Sequence, residues 1–446
     1  MRSRSELMNP PSTSATNEKD SPSPPSPGVL AERGVEGGEG HNAGKWLVLT
    51  AAFLGWMFDG LEMGIFPVVA RPALQELLGT QADQQVGRWM GYITALFLLG
   101  AAGGGLVFGW LGDKVGRVRA MVASILMYSL FTGACYFAGA AWQLGLFRFL
   151  AALGMGGEWS LGVALVVECW PDNKRPLMAG VIGAAANVGY CIVGVVTWMI
   201  PVRPDSWRWV MLAGTAPAVL ALGISAFVPE SERWKESVKT RTVHPLAEVF
   251  GPRLWKTTLL AIALASVALI GTWGSVQWLP LWADKMAAGT MHSAKGITMF
   301  TMSLGAVVGC FIGPWIGNVM GRRPAYFILC TGSLLSCAVL FRAVDSFGTP
   351  FLVGTFVVGG ATAAFYGWLP LYLPELFPTR ARATGQGLSF NAGRILAAVG
   401  AITQGYLVGY FAGSYARAGA VVTLVYLIGM ALVWLGKETK GKPLPE

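Results

Sequence analysis

Five ionisable side chains in this sequence stand inside stretches that are otherwise apolar: Asp59, Glu62, Arg148, Glu158 and Arg394. An ionised group at the centre of a lipid layer costs about 2.5–3.5 kcal/mol, so such residues face a wet cavity or a partner. Asp59 and Glu62 are three apart and share one helix face, where neighbouring carboxylates can hold a proton. The plainer reading makes them hydrogen-bond acceptors between helices. Arg148 and Glu158 share a later segment, about 15 Å apart along a helix and therefore too distant to bond each other. These four are the proton-coupling candidates, with a salt bridge from Arg148 to the first segment as the structural alternative.

Arg394 is the mid-depth cation of the C-terminal half, and Asn391 precedes it by one turn. A guanidinium fork fits a carboxylate through two parallel hydrogen bonds, which favours an anionic substrate over a structural pair with Asp59 or Glu62. Gln277, Trp278, Tyr366, Trp368 and Tyr372 add hydrogen bonds and aromatic faces suited to a sugar ring or an aromatic acid. Taken singly, each aromatic also reads as packing or as an interfacial anchor.

Other chemistries lack their residues. Gly154-Met155-Gly156-Gly157 has no strand before it and no GKS or GKT after it, so it is read as helix packing rather than a phosphate loop. No G-x-S-x-G nucleophile elbow occurs. The 6 cysteines form no CxxC pair and the 3 histidines lie in polar connections, so no metal or other cofactor is expected, and no enzyme.

The elements that must position these residues are membrane helices. The 446-residue chain is 54% hydrophobic and only 13% charged, with mean hydropathy +0.52, which suits lipid rather than water. Its 59 glycines, concentrated in stretches such as 100–109, let helix backbones approach closely. Apolar runs long enough to cross about 30 Å of hydrocarbon recur at 46–70, 90–111, 118–139, 142–168, 177–201, 208–228, 257–282, 296–317, 324–343, 350–374, 384–410 and 414–436. The pattern predicts twelve helices. Residues 1–44 are rich in Ser, Pro, Gly and charge and predict a disordered tail. Lys and Arg gather in the connections that follow even-numbered helices and at both chain ends, which predicts cytoplasmic termini. The net charge of +9 is explained by this topology and by anionic lipid, with no nucleic-acid partner.

The chain also repeats itself. Gly112-Asp113-Lys114-Val115-Gly116-Arg117 returns as Gly317-Asn318-Val319-Met320-Gly321-Arg322, an offset of 205. Glu168-Cys169-Trp170-Pro171 with Arg175 and Gly180 returns as Glu375-Leu376-Phe377-Pro378 with Arg382 and Gly387, an offset of 207. Two unrelated motifs at nearly one offset predict a duplication: bundles at 45–228 and 257–436, a linker at 229–256 and a short tail at 437–446. Transporters built from such repeats bind substrate at mid-membrane between the halves.

These residues resemble the major facilitator superfamily, whose signature G-x-L-x-D-x-x-G-R is matched by Gly109, Leu111, Asp113, Gly116 and Arg117. Pro229-Glu230-Ser231-Glu232-Arg233-Trp234 is similar to the P-E-S-P-R-W segment of sugar and organic-ion members, and Glu375 to Arg380 points the same way. Asp59-Gly60-Leu61-Glu62 resembles the D-G-x-D of proton-coupled aromatic-acid symporters, with Glu in place of the second Asp. Arg148 followed by Gly154, Gly156, Gly157 and Glu158 resembles helix 4 of sialate and other organic-acid symporters.

The resemblance implies two pseudo-symmetric six-helix bundles that alternate access, and for Arg148 a part in proton release. It also implies gate roles for Asp113, Arg117, Glu168, Arg175, Glu375 and Arg382 at the cytoplasmic helix ends. The expected protein is a monomeric secondary transporter of the plasma or bacterial inner membrane, importing an organic acid or acidic sugar with protons. Uniport or export of a neutral sugar stands as an alternative. A non-transporting sensor is a further one, whose output could only be the 44-residue tail.

Overall fold

The computed structural model describes residues 38–442 and 445, except 81–82, 160–161, 164–165, 167–169, 171–173, 201, 203–204, 229–244, 288–290, 292 and 379–380. Side chains of a few further residues, Asp113, Arg117 and Arg175 among them, are likewise outside the description. The tail 1–37 and most of the 229–256 linker, with its Pro229–Trp234 motif, fall there too.

The described chain is helical throughout, with α1 (Gly38–Leu78), α2 (Asp83–Val115), α3 (Arg117–Ala134), α4 (Ala141–Met155), α5 (Arg175–Met199), α6 (Trp207–Ala213), α7 (Pro217–Phe227) and α8 (Pro245–Val249) in the first part. The second part holds α9 (Trp255–Gly274), α10 (Leu279–Ala287), α11 (Ala294–Met320), α12 (Arg322–Ala343), α13 (Thr349–Leu376), α14 (Arg382–Tyr410), α15 (Tyr415–Val422) and α16 (Val425–Leu432). Among the described residues, nine spans are long and apolar enough to cross a membrane. The other three predicted spans are helical with a physical reason for the shortfall. The fourth turns at Gly156-Gly157 and resumes at Glu158. The sixth breaks at Gly214–Ala216, ahead of Pro217, which cannot donate to a continuing ladder. The eleventh, α14, runs unbroken but buries Gln386, Asn391, Arg394 and Gln404, which lower its hydropathy.

Glycine sets the close crossings, and it does so twice. A Cβ on Gly100 or Gly104 of α2 would lie 2.4 or 1.9 Å from the carbonyl oxygen of Phe149 or Leu153 on α4. The residues 205 further on, Gly305 and Gly309 of α11, meet Phe356 and Gly360 of α13 at 2.0 Å each, and those partners are Phe149 and Leu153 advanced by 207. The two offsets of the sequence repeat are therefore the two sides of one crossing, built once per half. Gly116 (φ 114°) and Gly321 (φ 102°) repeat likewise, each turning the chain between two helices through a backbone region that L residues avoid.

Between the halves, α5 packs along α11, and α2 along α14. The α5–α11 seam is tight at both ends, with Cβ positions on Gly180 at 2.8 Å from Phe311 and on Gly296 at 2.4 Å from the Trp198 nitrogen. The α2–α14 seam closes tightly at Gly105 against Asn391 (2.0 Å) and loosens towards Gly87 and Gly405 (3.9 Å). The Gly105 end belongs to the face that carries the 112–117 and 317–322 motifs, here the motif face; the other is the distal face.

Candidate functional site

Asp59, Glu62, Arg148, Glu158, Asn391 and Arg394 come together at the centre of the molecule, all at most 4% exposed. The partnerships differ from what the spacing of Asp59 and Glu62 predicts. Those two do share a helix face, but α4 and its continuation supply each with its own neighbour. Glu62 accepts from the guanidinium of Arg148 and from the Thr132 hydroxyl at 3.0 Å. Arg148 is also sandwiched between Phe66 and Phe97, with ring centres at 5.1 and 4.7 Å. The salt bridge between the fourth and first segments is therefore present.

Asp59 lies against Glu158 instead, the two carboxyl groups within hydrogen-bond reach. Glu158 Oε2 rests on Gly55, one turn along α1, where a Cβ would stand only 3.1 Å away. All four oxygens of this pair are buried and receive no donor among the described residues. The nearby Ser124 hydroxyl is already donated to the Gly154 carbonyl at 2.6 Å. The Tyr128 hydroxyl, buried and without a partner among the described residues, sits in the same field of carboxylates.

Arg394 enters from the other half. Its Nη1 donates to Asn391 Oδ1 at 3.0 Å, its guanidinium lies 5.0 Å from the Phe390 ring centre, and the charge of Asp59 acts on it across the seam. Among the described residues no carboxylate stands at ion-pair distance from it. Phe390 stacks on Trp159, with ring centres 4.2 Å apart and planes 15° from parallel, directly on the motif side of the acids and Arg394. Tyr366 joins this group, edge-on to Phe390 at 6.5 Å. Gln277 Nε2 donates to the Tyr190 hydroxyl at 3.0 Å across the halves. Trp278, whose indole donates to the Trp273 carbonyl at 3.2 Å, borders the distal side of the centre. The cavity against Arg148, Gln277 and Trp278 holds only about 20 Å³, so the distal approach to Arg148 is narrow.

Two predicted substrate residues are not brought to this cluster. Trp368 and Tyr372 pack inside the second bundle, with Trp368 4.8 Å from Tyr326 and 4.6 Å from Tyr372, and the Tyr372 hydroxyl donates to the Lys437 carbonyl at 2.8 Å. The far half of a membrane helix points its aromatics into its own bundle as readily as into a cavity, and the sequence does not distinguish the two. Tyr128, Trp159, Tyr190 and Phe390 were the residues missed. The signal for Trp159 and Phe390 was adjacency, since each immediately precedes or follows a residue already singled out.

At the motif face, Arg322 grips Glu375 through two bonds of 2.9 and 2.7 Å. The C-terminal segment is no loose tail. Glu438 accepts from the backbone nitrogens of Arg322 and Arg323 at 2.9 and 3.0 Å, Thr439 donates to Glu375 at 2.6 Å, and Arg382 donates to the carbonyls of Pro374 and Pro445. Glu375 and Arg382 thus hold the second half together internally. Glu168 and the side chains of Asp113, Arg117 and Arg175 lie outside the described residues. On the distal face, Arg71 of α1 bonds Asp284 of α10 at 2.8 Å, joining the two halves, with Lys295 3.4 Å from the same oxygen.

Twelve apolar segments in a twice-built bundle, with buried charge at the seam between halves, define a multi-pass membrane transporter and not an enzyme. The chain belongs to the Major Facilitator Superfamily, whose family model matches residues 48–401. It is 28% identical to a protein of Cupriavidus pinatubonensis named "Probable 4-methylmuconolactone transporter", over 88% of this chain and 90% of that one. With the sialic acid transporter NanX of Escherichia coli it shares 26% identity, over 88% and 94% respectively. The fold matches the partially occluded inward-open structure of the xylose transporter XylE from E. coli, with TM-score 0.71 and 17% identity over 90% of this chain and 100% of that one.

Proposed function

We propose that this transporter carries a small organic acid or acidic sugar together with protons, by alternating access of the bundles 45–228 and 257–436 about the 229–256 linker. The observation that supports it is the asymmetry of the central cluster: among the described residues, Asp59 and Glu158 face each other with four undonated oxygens, while Arg394 stands across the seam with no carboxylate at ion-pair distance. Two carboxyl groups in contact away from water are stable when they share a proton. A buried guanidinium with free fork positions is stabilised by a carboxylate from a ligand. Proton and substrate thus complete complementary charges on opposite halves, and neither half is neutral alone.

The relatives support the acid class, because 4-methylmuconolactone and sialic acid both carry a carboxylate. Arg148 and Glu62 form a closed pair and act as a fixed wall that sets the field around Asp59. Asp113, Arg117, Glu168 and Arg175 are the gate residues of the first half, the sequence counterparts of Asn318, Arg322, Glu375 and Arg382 in the second.

Uptake into proteoliposomes in sodium-free buffer tests the reading, with sugar acids, monocarboxylates, aromatic acids and neutral sugars each offered with and without an inward proton gradient. The expected result is gradient-driven accumulation of an acid. Asp59→Asn loses accumulation but keeps substrate exchange. Arg394→Lys binds at least about tenfold more weakly, because one charge remains without the fork, and Arg394→Gln nearly abolishes binding. Normal accumulation by Asp59→Asn removes the proton role, and uptake of a neutral sugar untouched by Arg394→Gln removes the anion.

A further inference from the structure

A ligand-sized space lies away from the central cluster. A cavity of about 500 Å³ opens on the distal side of the α2–α14 seam, where the glycine contacts loosen. Binding sites for small organic molecules run from about 300 to 1,000 Å³. The space against Arg148, of about 20 Å³, admits little more than a water.

The walls of the distal cavity carry two cations, Arg88 of α2 and Lys285 of α10, and no acid among the described residues. Arg88 is exposed and has no carboxylate partner among them. Lys285 Nζ donates to the Gly413 carbonyl at 2.8 Å, which offsets the exposed carbonyl end of α14, and stands 5.9 Å from the Tyr415 ring centre. Aromatic faces line the rest: Tyr92 opposite Tyr406, one from each half, and Tyr415 against Trp278 at 6.3 Å. Trp278 is the one lining residue that also borders the small cavity against Arg148, so it separates the two spaces.

We propose that this vestibule is a second binding site, for a small organic anion that carries a ring, held between Arg88 and Lys285 and stacked on the tyrosines. The anion waits there until movement of Trp278 admits it to Arg394. Because its walls come from both halves, the site is complete only while the distal ends of α2 and α14 stay close, so occupancy favours this arrangement. The proposal rests on the reading of the substrate as an organic anion, but the site is separate from Arg394.

Gly409 lines the vestibule, and a Cβ there meets nothing within 4 Å, so Gly409→Cys provides a reporter that fits. Its rate of modification is measured with an anionic and a cationic methanethiosulfonate of similar size, with the wild-type chain as the blank for native cysteines. The anionic reagent is expected to react several-fold faster, on the order of what two nearby cations contribute to local anion concentration, and Arg88→Gln to reduce the ratio. Benzoate at millimolar concentration is expected to slow labelling, and to do so equally when Arg394→Gln is added. Equal rates for the two reagents, or labelling indifferent to benzoate, overturns the site. Protection that disappears with Arg394→Gln also overturns it, since a single central site is then sufficient. Loss of the central reading shows differently, as acid transport unaffected by Arg394→Gln while benzoate still protects Cys at 409.

Discussion

The two halves of this protein share their packing and divide their chemistry. Gly104 on Leu153 and Gly309 on Gly360 are the same crossing at offsets of 205 and 207, and both set backbones in contact. At the same offset, however, Arg148 corresponds to Thr355, Glu158 to Phe365 and Arg394 to Asn187. The first half therefore holds the acids and the Arg148–Glu62 pair, and the second contributes one guanidinium. Duplication preserved what backbones need in order to approach. It did not preserve charge, since none of these three ionisable residues meets an ionisable residue at its repeat position.

The largest effect that sharpens this comparison comes from substituting equivalent positions. Arg148→Met leaves Glu62 buried with only the Thr132 hydroxyl for company, and removing one member of a buried ion pair costs about 3–5 kcal/mol. Thr355→Val removes hydroxyl contacts to the Leu352 carbonyl at 2.8 Å and to Thr301 at 3.2 Å, worth about 1 kcal/mol. Thermal unfolding in detergent should therefore show a large loss for the first and a small one for the second. Arg148→Met combined with Glu62→Leu should recover most of the loss, because no orphaned charge remains. Equal, mild shifts for Arg148→Met and Thr355→Val would mean the halves are not chemically divided.

A second test asks whether the packing is as shared as the geometry indicates. Gly104→Ala and Gly309→Ala each drive a methyl into a carbonyl oxygen, at 1.9 and 2.0 Å, and overpacking of this kind costs about 1–3 kcal/mol. Alanine's better helix propensity, about 1 kcal/mol, offsets part of that. The two variants should lose similar stability. Gly409→Ala, with open space at its Cβ, should lose none. A loss confined to one half breaks the symmetry of the crossing.

The sequence made the repeated features legible and left the unrepeated ones half-hidden. Apolar length gave the helices, and motif offsets gave the duplication, because both are properties of local composition. The mid-depth ions were equally visible, since lipid makes each of them expensive. Their partners were not. Asp59 and Glu62 sit three residues apart, and nothing local says that α4 and its continuation deliver Arg148 to one and Glu158 to the other, a result of the turn at Gly156-Gly157. Trp368 and Tyr372 show the same limit from the other side, since the facing of a wholly apolar helix is decided by its neighbours. The C-terminal segment, ten residues of mixed charge, carried no sign that Glu438 would cap a helix.

That cap is the smallest effect and the last asymmetry, because it anchors the second half's motif with an acceptor from the chain end. Burial pushes the Glu438 carboxyl up, but backbone N–H groups of Arg322, Arg323, Lys440 and Thr439 donate to it and outweigh burial, leaving its pKa below the ordinary glutamate value. A carboxyl depressed in the folded protein contributes fully above its unfolded pKa, about 4.3, and loses that contribution as pH falls through the depressed folded value. Docking of the segment should thus be constant from neutral pH down to about pH 5, and loosen only below about pH 4. Hydrogen exchange at Thr439 and Lys440 reads this directly. Glu438→Gln, which keeps the shape and loses the charge, should exchange a few-fold faster at neutral pH and show no acid step, as expected when charge-assisted bonds become neutral ones. An acid step that persists in Glu438→Gln assigns the titration to another group and overturns the cap as its cause.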